Sequence, residues 1–186
     1  KDKYAIQGGS ITPSLLPELT QKSMINLMKR VAEKFEINNS ALKGDLIIDK
    51  NGEIRIIEIA ARTSGGFDSQ VRKPASFGID LISFTMEMSL NKSPDINHLI
   101  PKWFKWSKTI SLFPPAGVVK AIIGENWLKE NNQVVDYKIL IKKGDNILKY
   151  ADCGMRNNYV TFKADTFEKL NQNEREIRDF FNIIID

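Results

Sequence analysis

Apolar residues recur at three- and four-residue spacing along Met24, Leu27, Met28, Val31, Ala32 and Phe35, with polar residues between them. That spacing puts one apolar stripe on a helix and predicts an amphipathic helix over roughly 17–35. Further on the pattern changes. Two strand-like runs, 42–48 and 53–59, flank Asp49-Lys50-Asn51-Gly52. Asn-Gly between apolar runs predicts a hairpin closed by a type I′ turn, because both residues tolerate positive φ. With Asn51 and Gly52 as the two loop residues, Lys50 faces Glu53 and Asp45 faces Glu58 on the same side of the ladder. A helix followed by a hairpin suits an α+β layer in which the helix covers one sheet face.

The flanking pattern is less regular. A short strand is expected at 3–6, followed by a loop over 7–14. Residues 68–73 read as a short helix ended by Pro74. Residues 79–91 read as a largely buried helix with Asp80 near its start. Periodicity is lost over 92–106, which carries Pro94, Pro101, Trp103 and Trp106 and is the candidate linker. Its aromatics line a substrate edge or anchor the loop on a core; both readings stay open. Short strands are then predicted at 109–113, 117–123, 134–141, 147–150 and 159–163. Turn signals stand at Pro114-Pro115, Gly144-Asp145 and Arg156-Asn157-Asn158, and Lys142-Lys143-Gly144-Asp145-Asn146 reads as a solvated turn. Asp165-x-x-Glu168 resembles a capping box opening a last helix, with Phe167, Leu170, Ile177, Phe180 and Phe181 on one face. The expectation is an α+β chain in two parts: 1–106, an antiparallel sheet with helices, and 107–186, a small β-rich domain.

Composition narrows the class. A chain of 186 residues with 42% hydrophobic and 27% charged residues has the make-up of a globular domain able to bury a core. No apolar run approaches the ~18 residues that span a bilayer, and no signal-peptide pattern opens the chain. The net charge is +4, with basic residues scattered among acids. That balance suits a small polyphosphate and points to neither a nucleic acid nor a membrane partner. The single cysteine, Cys153, excludes an internal disulfide and points to a reducing, cytoplasmic compartment; it reads as a small buried residue. His98 stands alone, as a surface or packing residue.

The candidate chemistry sits in the hairpin. Carboxylates at Asp45 and Glu58, about 5 Å apart, repel by roughly 3 kcal/mol at an effective dielectric near 20. One acid stays protonated, or Arg62 lies between them, or a divalent cation binds both. Mg²⁺ suits the last case, since it takes one or two protein carboxylates and completes its shell with water and phosphate oxygens. Arg62 and the small residues Thr63-Ser64-Gly65-Gly66 follow directly, offering a cation and backbone N–H groups to an anion. A surface hairpin with solvated acids is the alternative.

The segment Glu58-Ile59-Ala60-Ala61-Arg62-Thr63-Ser64-Gly65-Gly66, preceded by Gly44-Asp45-Leu46 and the hairpin, resembles the metal-binding segment of ATP-grasp ligases. That family includes amino-acid ligases, biotin carboxylase and the large subunit of carbamoyl phosphate synthase. The resemblance implies metal ligands at Asp45 and Glu58. It makes Arg62 the catalytic cation on the transferring phosphoryl group, and Glu58, Arg62, Ser64, Gly65 and Gly66 the phosphate-side contacts of ATP. Magnesium is the implied ion, with manganese as the alternative. Many members carry Asn two positions after the Glu as a third ligand; here that position is Ala60.

Gly8, Gly9, Ser10 and Pro13 stand where amino-acid ligases of this type carry a Gly-containing loop near the acceptor substrate. Gly154-Met155-Arg156-Asn157-Asn158-Tyr159-Val160 resembles a segment of the family's terminal domain, with Arg156 either reaching the active site or structural. The resemblance covers roughly 4–183, the C-terminal half of such an enzyme. The lobe with the phosphate-contacting lysines and adenine hinge would lie ahead of Lys1, so the chain reads as a fragment, weakly active or inactive alone. The implied activity is an ATP-dependent ligase joining a small-molecule carboxylate and amine through an acyl phosphate. The implied partners are those substrates, an amino-terminal ATP-grasp lobe and, as an open alternative, a second copy in a homodimer. Other readings are a carbamoyl-phosphate-synthase-like reaction or a non-catalytic nucleotide-binding homologue.

Overall fold

The computed structural model describes residues 6–151, 153–155 and 158–186. The strand expected at 3–6, the reading of the Cys153 side chain and that of Arg156 lie outside the described residues. In chain order the elements are β1 (Gly9–Thr12), α1 (Glu18–Lys34), β2 (Lys43–Ile48), β3 (Ile54–Ala60), α2 (Lys73–Phe77), α3 (Leu81–Ser89), β4 (Trp106–Ser111), β5 (Gly117–Ile123), α4 (Glu125–Glu130), β6 (Val134–Ile139), β7 (Asn146–Ile147), β8 (Asn158–Ala164), α5 (Phe167–Phe180) and β9 (Asn182–Ile185). Mixed helices and antiparallel sheets make the chain α+β. It divides into two compact units that interleave in sequence. One gathers the chain up to Pro13, Ala75–Phe77 and Trp103–Asp186; the other holds Ser14–Pro74 and Gly78–Lys102.

The first unit is built on an antiparallel sheet in the order β1-β4-β8-β6. Alternation along β8 sends Val160, Phe162 and Ala164 inward, where they meet Ile110, Leu128, Leu170, Ile177 and Phe181 in one core cluster. Each member of that cluster is at most 5% exposed. Complete burial of an aliphatic or aromatic side chain stabilises by about 1.5–3 kcal/mol, so this cluster holds the unit together. Polar strand positions between them are paired: Thr109 and Thr161 share a hydroxyl hydrogen bond of 2.9 Å, and Ser107 shares one of 2.6 Å with Ser76 of α2. β5 lies between β7 and β9 in a second, three-stranded sheet.

Several expectations need correction here. The presumed loop over 7–14 contains β1, which pairs with β4 from Gly9↔Ile110 to Thr12↔Ser107. A four-residue strand with Gly and Ser gives no alternation to read. α5 is capped by Thr166, whose hydroxyl accepts the Lys169 N–H at 3.1 Å, and not by Asp165. Phe181 lies past the helix end and is buried, whereas Phe180 is exposed and stacks on Trp127. α4 and β9 were not expected. Trp103, in the presumed linker, donates its indole N–H to the Ala75 carbonyl at 3.0 Å, which is an anchoring contact.

In the second unit α1 runs between Pro17 and Phe35, as its stripe predicts. Met24, Met28 and Ala32 line an apolar groove with Leu42 and Leu46. Pro74 does not end a helix. It occupies the first turn of α2, where its missing N–H costs nothing, and Gly78 in the left-handed region ends that helix. α3 is shorter than expected and none of its residues is fully buried. Asp80 caps it by accepting the Ser83 N–H at 2.9 Å. His98 is a packing residue: its backbone carbonyl accepts the Asp80 N–H, and its ring lies 3.4 Å from Glu87.

Candidate functional site

The hairpin reaches the expected pairing by an unexpected route. Asn51 does not have positive φ; Gly52 alone does, at 83°. The Gly52 N–H donates to the Asp49 carbonyl and the Asp49 N–H to the Glu53 carbonyl, both at 2.9 Å. The connection is therefore a three-residue loop, Lys50-Asn51-Gly52, with glycine at its left-handed position. The Asp49 carboxylate stiffens it by accepting the Glu53 and Asn51 N–H groups at 3.0 and 2.8 Å. These two bonds, with the Arg55 guanidinium, hold Asp49 below the usual carboxylate range.

That loop sets the register Ile48↔Ile54, Ile47↔Arg55 and Leu46↔Ile56, one residue off the predicted count. Continued unbroken, it would turn Glu58 to the face carrying Gly44 and Leu46, which packs on α1. A β-bulge intervenes. Ile57 is the extra residue, and beyond it the pairs are Asp45↔Glu58, Gly44↔Ile59 and Lys43↔Ala60. The turn and the bulge cancel, so Asp45 and Glu58 stand opposite each other on the face away from α1.

Between them lies a cation that the sequence reading missed. The Lys43 ammonium is 2.5 Å from Asp45 Oδ2 and 3.9 Å from Glu58 Oε1. Its signal was available, because residues i and i+2 of a strand share a face and Lys43 is two before Asp45. Arg62 does not lie between the acids. It is exposed, and its guanidinium donates to the Thr63 carbonyl at 3.0 Å. Ser64 is half-buried; Gly65 and Gly66 are exposed, and a methyl placed on either glycine would meet no atom of the described residues within 4 Å.

Directly after the glycines the chain makes a π-helical stretch, Asp68–Arg72, in which the Arg72 N–H reaches back five residues to the Phe67 carbonyl at 3.0 Å. Asp68 and Arg72 are both buried and form an ion pair at 2.5 Å, with Lys73 3.3 Å from the other carboxylate oxygen. The Asp68 N–H donates to the Gly65 carbonyl at 3.3 Å, tying this stretch to the loop. Among the described residues no group of three or more His, Cys, Asp or Glu stands together.

This arrangement, a helix-backed hairpin with paired acids leading into an Arg-x-x-Gly-Gly loop and a β-rich unit, is the fold of the C-terminal half of ATP-grasp ligases. No family model matches the chain. Its particular likenesses are these. A curated relative, the alanine–anticapsin ligase of Bacillus subtilis (strain 168), is 27% identical over 144 residues, covering 68% of this chain and 30% of that protein. The structure of phosphoribosylglycinamide synthetase from Anaerococcus prevotii superposes with a TM-score of 0.83 at 18% identity, over all of this chain and 48% of the other. An L-amino acid ligase from Bacillus licheniformis gives 0.82 at 20% identity, covering 98% of this chain and 45% of that one. The biotin carboxylase domain of the Hydrogenobacter thermophilus 2-oxoglutarate carboxylase, solved with MgADP and bicarbonate, gives 0.68 at 16%, covering 97% and 41%. The chain thus spans less than half the length of each of these proteins. No helix among the described residues is long and apolar enough to cross a membrane.

Proposed function

We propose that this chain is the metal- and phosphate-binding half of an ATP-dependent ligase that joins a carboxylate to an amine through an acyl phosphate. The observation that carries the reading is the placement of Asp45 opposite Glu58, with Arg62 four residues beyond Glu58. The fold likeness and the named amino-acid ligase relatives support it. They also favour an amino acid or a similar small molecule as substrate.

The donor set fits magnesium. Two half-exposed carboxylates on one face offer hard oxygen ligands and leave the remaining octahedral positions to water and phosphate oxygens. No third protein ligand is needed for an ion held in this way. When bound, the metal would supply charge neutralisation for the terminal phosphates of ATP. The chain's own groups do the rest. Asp45 and Glu58 would hold the ion, and the exposed Arg62 guanidinium would face the anion as charge builds on the transferring phosphoryl group. One such preorganised donor is worth about 3–4 kcal/mol. Ser64, Gly65 and Gly66 would bring backbone N–H groups to the phosphates, since among the described residues no atom stands within 4 Å of where a side chain on either glycine would begin. The buried Asp68–Arg72 pair anchors the far end of that loop.

The lobe that contacts adenine and closes over ATP is expected from the remaining half of the full-length relatives. The chain alone should therefore turn over slowly or not at all; robust ATP consumption by it in isolation would overturn that part. The site itself is tested by Mg²⁺ titration followed as a thermal shift, with and without ATP. Stabilisation by Mg²⁺ and ATP together, lost in both Asp45→Ala and Glu58→Ala, supports the ligase site. Ala60 favours a second reading, a nucleotide-binding homologue without catalysis, because it puts no ligand beside Glu58. Stabilisation by ATP that ignores metal and survives both substitutions would select it.

A further inference from the structure

Lys43 has no part in the reaction outlined above, yet it is built into the site. On β2 it shares a face with Asp45, and across the ladder it stands opposite Ala60, two residues after Glu58. The methyl of Ala60 offers no ligand. The only charge directed at the two acids from this side of the ladder, among the described residues, is the Lys43 ammonium. Its side chain is 20% exposed, against 48% for Asp45 and 57% for Glu58. The aliphatic stem is thus largely covered while the charge reaches the carboxylates.

We propose that Lys43 is an internal counter-ion that occupies the space between Asp45 and Glu58 until a divalent cation displaces it. The inference rests on the metal-site reading of the hairpin and adds a control on its affinity. The two cations cannot share the two carboxylates, since an ammonium within 4 Å of a divalent ion repels it strongly at any protein dielectric. For the metal to bind both acids, the Lys43 Nζ must leave Asp45, and the energy of that ion pair is subtracted from metal binding. In exchange, the pairing relieves repulsion between the acids when no metal is present and keeps the hairpin ordered. Lys43 is therefore a positioning residue. It sets the metal concentration at which the site loads.

The test uses the whole chain, with Mg²⁺ or Mn²⁺ alone as the probe, followed by thermal shift and by calorimetry. Lys43→Gln should lower the apparent Kd for the metal about 2- to 5-fold, the range covered by an exposed ion pair. Lys43→Arg should restore the wild-type value, because it restores the charge. In EDTA, Lys43→Gln should melt earlier than wild type, and added metal should close that gap. Lys43→Met is the second variant should the amide disturb the fold, and circular dichroism checks both. Unchanged or weaker metal binding in Lys43→Gln and Lys43→Met would overturn the proposal, with the hairpin site standing if Asp45→Asn and Glu58→Gln still abolish binding. Equal metal binding in Asp45→Asn, Glu58→Gln and wild type would instead overturn the underlying reading, and this inference with it.

Discussion

The two units bury different kinds of residue. In the β-rich unit the fully covered side chains are Phe162, Ile110, Leu128, Leu170, Ile177, Val119 and Val160, with small polar residues between strands. In the unit carrying the hairpin, Val31 is the one buried hydrophobic residue among those described, and the other deeply covered side chains are Asp68, Ser69 and Arg72. Its larger apolar groups stand out: Leu19 is 78% exposed, Ile57 67% and Phe35 65%. One unit is held by apolar burial, the other by helix, hairpin and a buried ion pair. The lesson is a division of labour. Apolar burial is concentrated in the unit without the hairpin, and the paired acids lie on an element with little core beneath it, where local opening costs least.

Phe162→Ala gives the sharpest contrast. It removes a side chain at 0% exposure from the centre of the core and should cost about 3–5 kcal/mol in chemical denaturation. Ile57→Ala on the bulge should cost under about 0.5 kcal/mol, as surface substitutions do. Equal losses at the two positions would break the comparison, because Ile57 would then be covered in solution. Next is Asp68→Asn. It removes the buried charge that pairs with Arg72 and Lys73, at a cost of about 3 kcal/mol. The loss should appear as faster amide exchange and proteolysis over Arg62–Arg72, with the exchange of β4 and β8 unchanged. Slower exchange in the hairpin than in β8 would reverse the ranking.

A milder effect comes from Glu174, on α5 of the β-rich unit. Burial raises its pKa, but hydrogen bonds and attraction from Lys108 and Arg178 together outweigh burial and leave it lowered. A lowered folded pKa means stability present above the unfolded pKa, near 4.3, and lost as pH falls through the folded value. Glu174→Gln should cost about 1.5 kcal/mol at neutral pH, the scale of one charged hydrogen bond. The difference from wild type should shrink below pH 4. A gap that persists at pH 2 would show that the side chain acts through packing and not charge.

How much of this was legible depends on which interactions decide each element. The α1 stripe, β5 and the turn at Lys142-Lys143-Gly144-Asp145 were readable because local period and turn chemistry suffice. The opposition of Asp45 and Glu58 was readable for a weaker reason: the count assumed a two-residue turn, and a three-residue turn plus the bulge at Ile57 gives the same pairing. Nothing in Ile56-Ile57 marks a bulge, since both are strand formers. Lys43 was legible from alternation alone and was passed over. The Asp68–Arg72 pair carries an i,i+4 signal, but its burial is set by tertiary packing that periodicity does not report. β9 was hidden because the apolar run Ile183-Ile184-Ile185 follows directly on a helical pattern that Phe180 and Phe181 seemed to extend.

A smaller loss than that at Glu174 lies in the unit carrying the hairpin and tests whether its helices depend on local chemistry. The Asp80 carboxylate accepts the Ser83 N–H at 2.9 Å and the Ser83 hydroxyl at 2.6 Å, and these bonds hold its pKa below the usual range. No residue of α3 is fully buried, so little tertiary packing is available to replace the cap. Asp80→Ala should therefore cost about 1 kcal/mol, with Asp80→Ser recovering most of it. By the same sign as for Glu174, the wild-type advantage is present above the unfolded carboxylate pKa and lost as pH falls through the lowered folded one. The same substitution at Thr166, the cap of α5, should fray that helix less, because Leu170 and Ile177 pin it to the core. Amide exchange at the first turn of each helix reads both. If Thr166→Ala opened α5 as far as Asp80→Ala opens α3, apolar burial would not be what separates the two units.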